Sequence, residues 1–129
     1  MKVQNIMRRA PITVGEQTSL GDAYQQMKHH GIRHLPVLRD GRLSGILSER
    51  DILRYRATVD ISLSWQRAKV GEAMVSPPQT AGPDDSLTEI AGRLAAAKIG
   101  AMPVVERGTL VGLVTTTDVL EAEVREAMA

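Results

Sequence analysis

The sequence predicts an α/β (α+β) protein built from two copies of one small unit, each running helix, strand, strand, helix. Three observations carry this. Displacing the chain by 67 residues aligns 3–53 with 70–120 without a gap, and fifteen of the 51 pairs are identical. In each copy, apolar residues first recur at helical spacing. They then give way to two short apolar runs separated by a turn. A unit of ~50 residues is marginal alone, so the two are expected to pack around one shared core.

The elements follow in order. Leu20, Ala23, Tyr24 and Met27 fall at i, i+3, i+4 and i+7, as do Leu87, Ile90, Ala91 and Leu94, which gives each copy an amphipathic helix. Ser19 with Asp22, and Ser86 with Glu89, have the spacing of a capping box at its start, and Gly31 is suited to stop the first helix. Strands are expected at Leu35–Leu38 and Leu43–Leu47, and again at Met102–Val105 and Leu110–Val114. They turn at Asp40-Gly41 and Arg107-Gly108, where the glycine supplies positive φ. A second helix starts near Ser48 and near Thr115, the latter running over 116–128. The organisation is therefore a first repeat over 1–56, a linker over 57–69 and a second repeat with its terminal helix over 70–129. In the linker region Ile61, Leu63 and Trp65 alternate with Ser62 and Ser64, an extended pattern whose apolar face either covers the core or meets a partner subunit.

Composition removes several classes of function. The 129 residues carry a formal charge of +1, which argues against a strongly basic nucleic-acid binder and against an acidic disordered tail. Without cysteine there is no disulfide, thiolate metal site or cysteine nucleophile. Tyr24, Tyr55 and Trp65 are the only aromatic residues, few for stacking single-stranded bases. No apolar run approaches the ~20 residues of a membrane span, and the first residues lack a signal-peptide stretch, so a cytoplasmic location is expected. The start at Met1 and the short end after the last helix favour a stand-alone protein. No Walker A loop, nucleophile elbow or HExxH is present, and Ser48 has no evident base, so catalysis is not expected. His29, His30 and His34 do not form a convincing metal set, because Gly31 separates His30 from His34. Met7, Met27, Met74 and Met102 read as core fillers.

The segments 45–51 and 112–118 hold the chemistry. Each places a hydroxyl residue three positions before an aspartate at a strand-to-helix junction: Ser48 before Asp51, Thr115 before Asp118. One reading is a helix N-cap, needing no ligand. The other is a ligand site. A helix N-terminus attracts phosphate, a hydroxyl donates to it, and a carboxylate accepts both hydroxyls of a ribose. Gly45 and Gly112 would then let a ligand approach the backbone. A single arrangement can serve both.

The sequence resembles a tandem pair from the cystathionine-β-synthase (CBS) domain family, a Bateman module. The residues that carry the likeness are Met7, Pro11 and Thr13-Val14, then 31–37 with Arg33, His34 and Pro36-Val37, then Asp40-Gly41 through Ser48 to Asp51. The second copy matches through Met74, Pro78, Thr80, 99–104 with Pro103-Val104, and Gly112 to Asp118. The resemblance implies two β-α-β-β-α repeats related by a pseudo-twofold axis. It also implies a regulatory module that binds AMP, ADP or ATP, or S-adenosylmethionine or NADH, as signal rather than cofactor. A further implication is a homodimer, and the receiver of the signal is expected to be either a separate effector protein or part of a longer chain. Carried over position by position, it groups Thr115, Thr117 and Asp118 with Thr13, Val14, Arg33, His34 and Leu35. A second group joins Ser48, Arg50 and Asp51 to Thr80, Ala81, Gly100, Ala101 and Met102. The aspartates would hold ribose, the backbone near Val14 and Ala81 would read adenine, and Arg33, His34 or Arg50 would meet phosphate.

The copies differ at these positions: Arg33-His34 becomes Gly100-Ala101, and Arg50 becomes Thr117. Residues 1–67 carry 11 basic and 6 acidic groups, whereas 68–129 carry 5 and 9, so the halves stand at +5 and −4. Unequal sites follow, with the Arg33/His34 group suited to a multiply charged phosphate; the same asymmetry would also serve head-to-tail dimerisation. Two other readings stay open, a homodimeric scaffold with vestigial clefts and a nucleic-acid binder using Arg8, Arg9, Arg54, Arg56 and Arg67.

Overall fold

A computed structural model describes residues 1–59 and 64–129. The expected apolar face at Ile61 and Leu63 therefore lies outside the described residues. The order is β1 (Arg8–Arg9), β2 (Val14–Gly15), α1 (Leu20–His30), β3 (His34–Arg39), β4 (Arg42–Ser48) and α2 (Glu49–Thr58). It continues with α3 (Leu87–Ala97), β5 (Ala101–Glu106), β6 (Thr109–Thr115) and α4 (Thr116–Met128). Each expected helix and strand is present, the four expected strands extending one residue beyond the apolar runs at every end.

The helices begin where the caps predict. Ser19 and Ser86 accept the N–H of Asp22 and Glu89, at 3.1 Å each. Gly31 closes α1 in the left-handed conformation at φ 63°, whereas Lys98, with φ 55°, fills the same role after α3. Both hairpins turn through two left-handed residues, Asp40-Gly41 and Arg107-Gly108, so the residue before each glycine also has positive φ. That is the two-residue turn whose twist suits a hairpin.

The chain divides into two compact units, and the division cuts across the sequence repeats. One unit is Ile12–Pro78; the other joins Met1–Pro11 to Gln79–Ala129. The leading segment of each repeat thus lies in the unit that holds the sheet of the other. In the discontinuous unit β1 pairs antiparallel with β6, setting Arg8 opposite Leu113. In the continuous unit Val75, the repeat mate of Arg8, bridges antiparallel to Ile46, the mate of Leu113. Likewise β2 runs parallel to β3 through Val14 and Val37, and the matching bridge in the other unit is Ala81 to Val104. Even the register shifts correspond, at Val37/Leu38 and Val104/Val105.

This exchange corrects the expectation of one shared core. The buried side chains form two clusters, one around Leu20, Met27, Leu35, Val37, Leu47 and Ile52, the other around Leu87, Ile90, Met102, Val104 and Val114. Val70 completes the first and Val3 the second, each fully buried and each supplied by the other repeat. With a borrowed segment over its sheet, each unit closes its own apolar interior. The exchange also redistributes charge. Ile12–Pro78 carries 9 basic and 7 acidic groups, and the other unit 7 and 8, so the +5 and −4 of the halves become +2 and −1. Lys2 illustrates this, its ammonium 3.1 Å from Asp84.

Candidate functional site

Both strand-to-helix corners form complete capping boxes. Asp51 N–H donates to Ser48 Oγ at 3.0 Å, and Ser48 N–H donates to Asp51 Oδ2 at 2.8 Å. Asp118 N–H donates to Thr115 Oγ1 at 3.2 Å, and Thr115 N–H to Asp118 Oδ2 at 2.8 Å. The first helix of each repeat has only the serine half of such a box, so among the α-helices the reciprocal version belongs to the two corners. The N-cap reading is therefore correct as structure. It uses one oxygen of each aspartate.

In the Ile12–Pro78 unit, antiparallel pairing sets His34 opposite Ser48, and Glu49 N–H donates to the Arg33 carbonyl at 2.9 Å. Arg33, His34, Ser48, Arg50 and Asp51 thus meet at one end of the sheet. Arg33 and Arg50 are exposed and His34 is half-buried. Burial, then the neighbouring Arg33 and Arg50, hold the His34 imidazole below its ordinary pKa of 6.5, against the opposing pull of Asp51. Glu49 is engaged by Lys28, 2.8 Å away, and the hydrogen bond that the Lys28 ammonium donates to Glu49 is the main reason the Lys28 pKa is raised.

The other unit builds the same corner without the two arginines and the imidazole, keeping the Asp118 carboxylate. Ala101 lies opposite Thr115, Thr116 N–H donates to the Gly100 carbonyl at 2.9 Å, and Thr117 is exposed where Arg50 stands in the first repeat. Ala81 is buried and bonded on both sides to β5, from its own N–H to the Pro103 carbonyl and from Val105 N–H to its carbonyl. Thr80 is exposed, its carbonyl accepting from Arg93 at 2.9 Å. Leu35 and Met102 are fully buried in the two cores, which leaves a binding role to their backbone alone. Thr13 and Val14 line an open groove of about 700 Å³ with Thr18, Asp22, Gln25 and Gln26; neither His34 nor Asp51 lines it.

Gly45 and Gly112 do not face a ligand. A Cβ on Gly45 would lie 2.6 Å from Met74 Sδ and 2.9 Å from the Val75 carbonyl; on Gly112 it would lie 2.5 Å from Met7 Sδ and 3.1 Å from the Arg8 carbonyl. The leading segments occupy that space. The signal was present in the repeat, since both the glycines and the methionines are identical between copies. The arginines of the nucleic-acid reading also divide, Arg8 and Arg9 in one unit and Arg54, Arg56 and Arg67 in the other, with the Arg56 guanidinium 4.8 Å from the Trp65 ring centre. His29 and His30 stack edge to face at 4.7 Å, and among the described residues no cluster of three potential metal ligands occurs.

The pattern that defines the CBS domain matches residues 3–58 and, a second time, 70–125. The chain belongs to the CBS domain family. An inosine-5'-monophosphate dehydrogenase of Korarchaeum cryptofilum is 36% identical over 123 residues, covering 95% of this chain and 24% of the enzyme. The CBS pair thus spans about a quarter of that relative's length. A CBS domain-containing protein of Bacillus subtilis, YhcV, is 29% identical over 90% of this chain and 81% of its own length. Among solved structures, the CBS domain pair of protein MJ0100 in complex with 5'-methylthioadenosine and S-adenosyl-L-methionine superposes with a TM-score of 0.87 at 26% identity, covering 98% of both chains. The mixed α/β architecture is that of a CBS pair. No helix among the described residues is long and apolar enough to cross a membrane.

Proposed function

We propose that this CBS pair is a cytoplasmic regulatory sensor that binds adenosine-containing ligands, transmits occupancy by shifting between two conformations, and performs no catalysis of its own. The observation that supports it is the corner built twice, with a hydroxyl and a carboxylate held in register at the start of a helix. Capping takes one aspartate oxygen and leaves the second for ribose hydroxyls, so cap and ligand site are one device. The groupings implied by the resemblance, Asp118 with Arg33 and His34 and Asp51 with Gly100 and Ala101, belong to this proposal. A ligand shifts such a module only by its difference in affinity for the two states, and the effector must sense that difference.

Thermal unfolding with AMP, ADP, ATP, S-adenosylmethionine and NADH tests the proposal. A ligand at 100 times its Kd adds about 2.7 kcal/mol of stability. Asp51→Ala and Asp118→Ala should each remove part of the ligand-induced shift, and Arg33→Ala should weaken ATP or ADP more than adenosine. Coupling of Arg33→Ala to Asp118→Ala rather than to Asp51→Ala supports the expected grouping. Equal losses for ATP and adenosine would remove Arg33 from it.

One observation favours a second reading, a homodimeric scaffold. Leu120, Val124 and Met128 form an exposed apolar stripe on α4, and Leu53, the repeat mate of Leu120, is exposed on α2. If no ligand moves the unfolding midpoint and the dimer dissociates on Leu120→Glu, the scaffold reading replaces the sensor.

A further inference from the structure

We infer that two copies of this chain join through α2 of one and α4 of the other, and that Arg54 and Glu121 impose this unlike pairing. The inference rests on the homodimeric reading and specifies it: α2 of one copy is covered by α4 of the second, and not by its own counterpart.

The two helices are repeat mates, α2 in the Ile12–Pro78 unit and α4 in the other. Each turns one face into its own core, through Ile52 from α2 and through Val119 and Ala122 from α4. The opposite face of each is open. On α2 it carries Arg50, Leu53, Arg54 and Ala57, which fall at i, i+3, i+4 and i+7 and are all exposed. The matching positions on α4 are Thr117, Leu120, Glu121 and Val124, also exposed, and Met128 extends the stripe by one turn. Leu53 is 52% exposed, Leu120 60% and Val124 57%, so both stripes leave large apolar side chains that gain by being covered.

Charge decides what covers them. The middle of the α2 stripe is Leu53-Arg54 and the middle of the α4 stripe is Leu120-Glu121, so the leucine is kept between the repeats and the charge beside it is inverted. Among the described residues neither Arg54 nor Glu121 forms an ion pair. The rest of each helix has the same sign. The α2 carboxylates are engaged, Glu49 with Lys28 and Asp51 in its capping box, which leaves Arg50, Arg54 and Arg56 exposed. On α4, Asp118 is held in its box, and Glu121, Glu123 and Glu126 are exposed beside Arg125. Two α2 helices face to face would set Arg54 against Arg54, with Arg50 alongside; two α4 helices would set Glu121 against Glu121. Like charges oppose both arrangements. An α2–α4 contact instead joins leucine to leucine and opposite charges. It does so whether the helices run parallel or antiparallel, because both pairs sit at the centre of their stripes. A twofold axis makes the contact occur twice, Arg54 of each copy meeting Glu121 of the other.

The chain has no cysteine, so cross-linking through introduced thiols reads the contact directly. Leu53→Cys and Leu120→Cys proteins are oxidised separately and after mixing. A covalent dimer joining positions 53 and 120 is expected from the mixture, at a rate well above that of either protein alone. Sedimentation of charge variants gives a second readout. Arg54→Glu and Glu121→Arg should each weaken the dimer by at least about tenfold, since each sets like charges at both contacts, and the R54E/E121R double variant should recover most of the loss. Efficient covalent dimers from L53C or L120C alone, or single charge variants that associate as well as the wild type, overturn the inference and leave the homodimer standing. A wild type that sediments as a monomer at every concentration removes both, and leaves the adenosyl-sensor reading to its own ligand test.

Discussion

Gly45→Ala tests how firmly a borrowed segment is held. The new methyl would sit 2.6 Å from Met74 Sδ and 2.9 Å from the Val75 carbonyl oxygen. A thioether can swing aside, but the carbonyl cannot. It accepts from Ile46 N–H at 3.0 Å, and Val75 N–H donates to the Ile46 carbonyl at 2.9 Å, so moving it strains or breaks both bonds. Overpacking costs about 1–3 kcal/mol, and each of two lost backbone bonds adds about 1 kcal/mol. A destabilisation of about 3–5 kcal/mol is expected, or roughly 11–18 °C in Tm for a chain of this size. Gly112→Ala places its methyl 3.1 Å from the Arg8 carbonyl and 2.5 Å from Met7 Sδ, so its cost lies mainly in the flexible thioether. Met7→Ala should therefore relieve much of the Gly112→Ala penalty, whereas Met74→Ala should leave most of the Gly45→Ala penalty in place. Chemical denaturation of the four single and two double variants measures both couplings. A Gly45→Ala protein within about 0.5 kcal/mol of wild type, the usual range of a neutral substitution, or one fully rescued by Met74→Ala, would refute the account of a carbonyl locked against the glycine.

Three further outcomes follow from local geometry. Ser48→Ala and Thr115→Ala each lose the side-chain half of a capping box and should cost about 1 kcal/mol in denaturant titration. Lys98→Gly relieves a left-handed residue at the end of α3 and should stabilise by about 0.5–1 kcal/mol, read from the same transition, while Gly31→Ala should do the opposite at the end of α1. Because folding lowers the His34 pKa, the unfolded chain binds more protons below the ordinary value of 6.5. Stability should therefore be full above that pH and decline as pH falls through it, and His34→Gln should flatten that decline, measured by unfolding at constant ionic strength.

The local elements were legible because they rest on short-range chemistry. Ser19, Ser48, Ser86 and Thr115 are all N-caps, and Gly31 ends α1 as its position predicts. The family was legible because ordered motifs recur in both halves. The exchange of leading segments was hidden, because periodicity along the chain carries no information about which sheet a two-residue strand will join. Met7 with Gly112, and Met74 with Gly45, were its only trace in the repeat. Reading those glycines as ligand contacts failed because a glycine records only that something comes close. Here the neighbour is the chain itself. The charge contrast between halves misled in the same way. It was counted along the sequence, whereas Lys2, Arg8 and Arg9 fold into the acidic unit.

The pairs of residues that match between the copies, and those that do not, divide by physical task. Val3 and Val70 fill equivalent places in the two cores; Gly45 and Gly112 admit a backbone; Asp51 and Asp118 each close a capping box. All three pairs are identical, since altering one member would damage its unit. Arg33 and Gly100, His34 and Ala101, and Arg50 and Thr117 stand at matching corners and make no contribution that the fold of both units requires, because the second unit folds without the two arginines and the imidazole. Charge at the first corner is therefore not explained by stability. Two guanidiniums beside a half-buried imidazole cost the fold something, and the matching corner, which lacks all three side chains, shows that the cost is avoidable. On the adenosyl-sensor proposal an anion bound at that corner would offset it, so that proposal draws on the asymmetry at those positions and not on the net charge of either half.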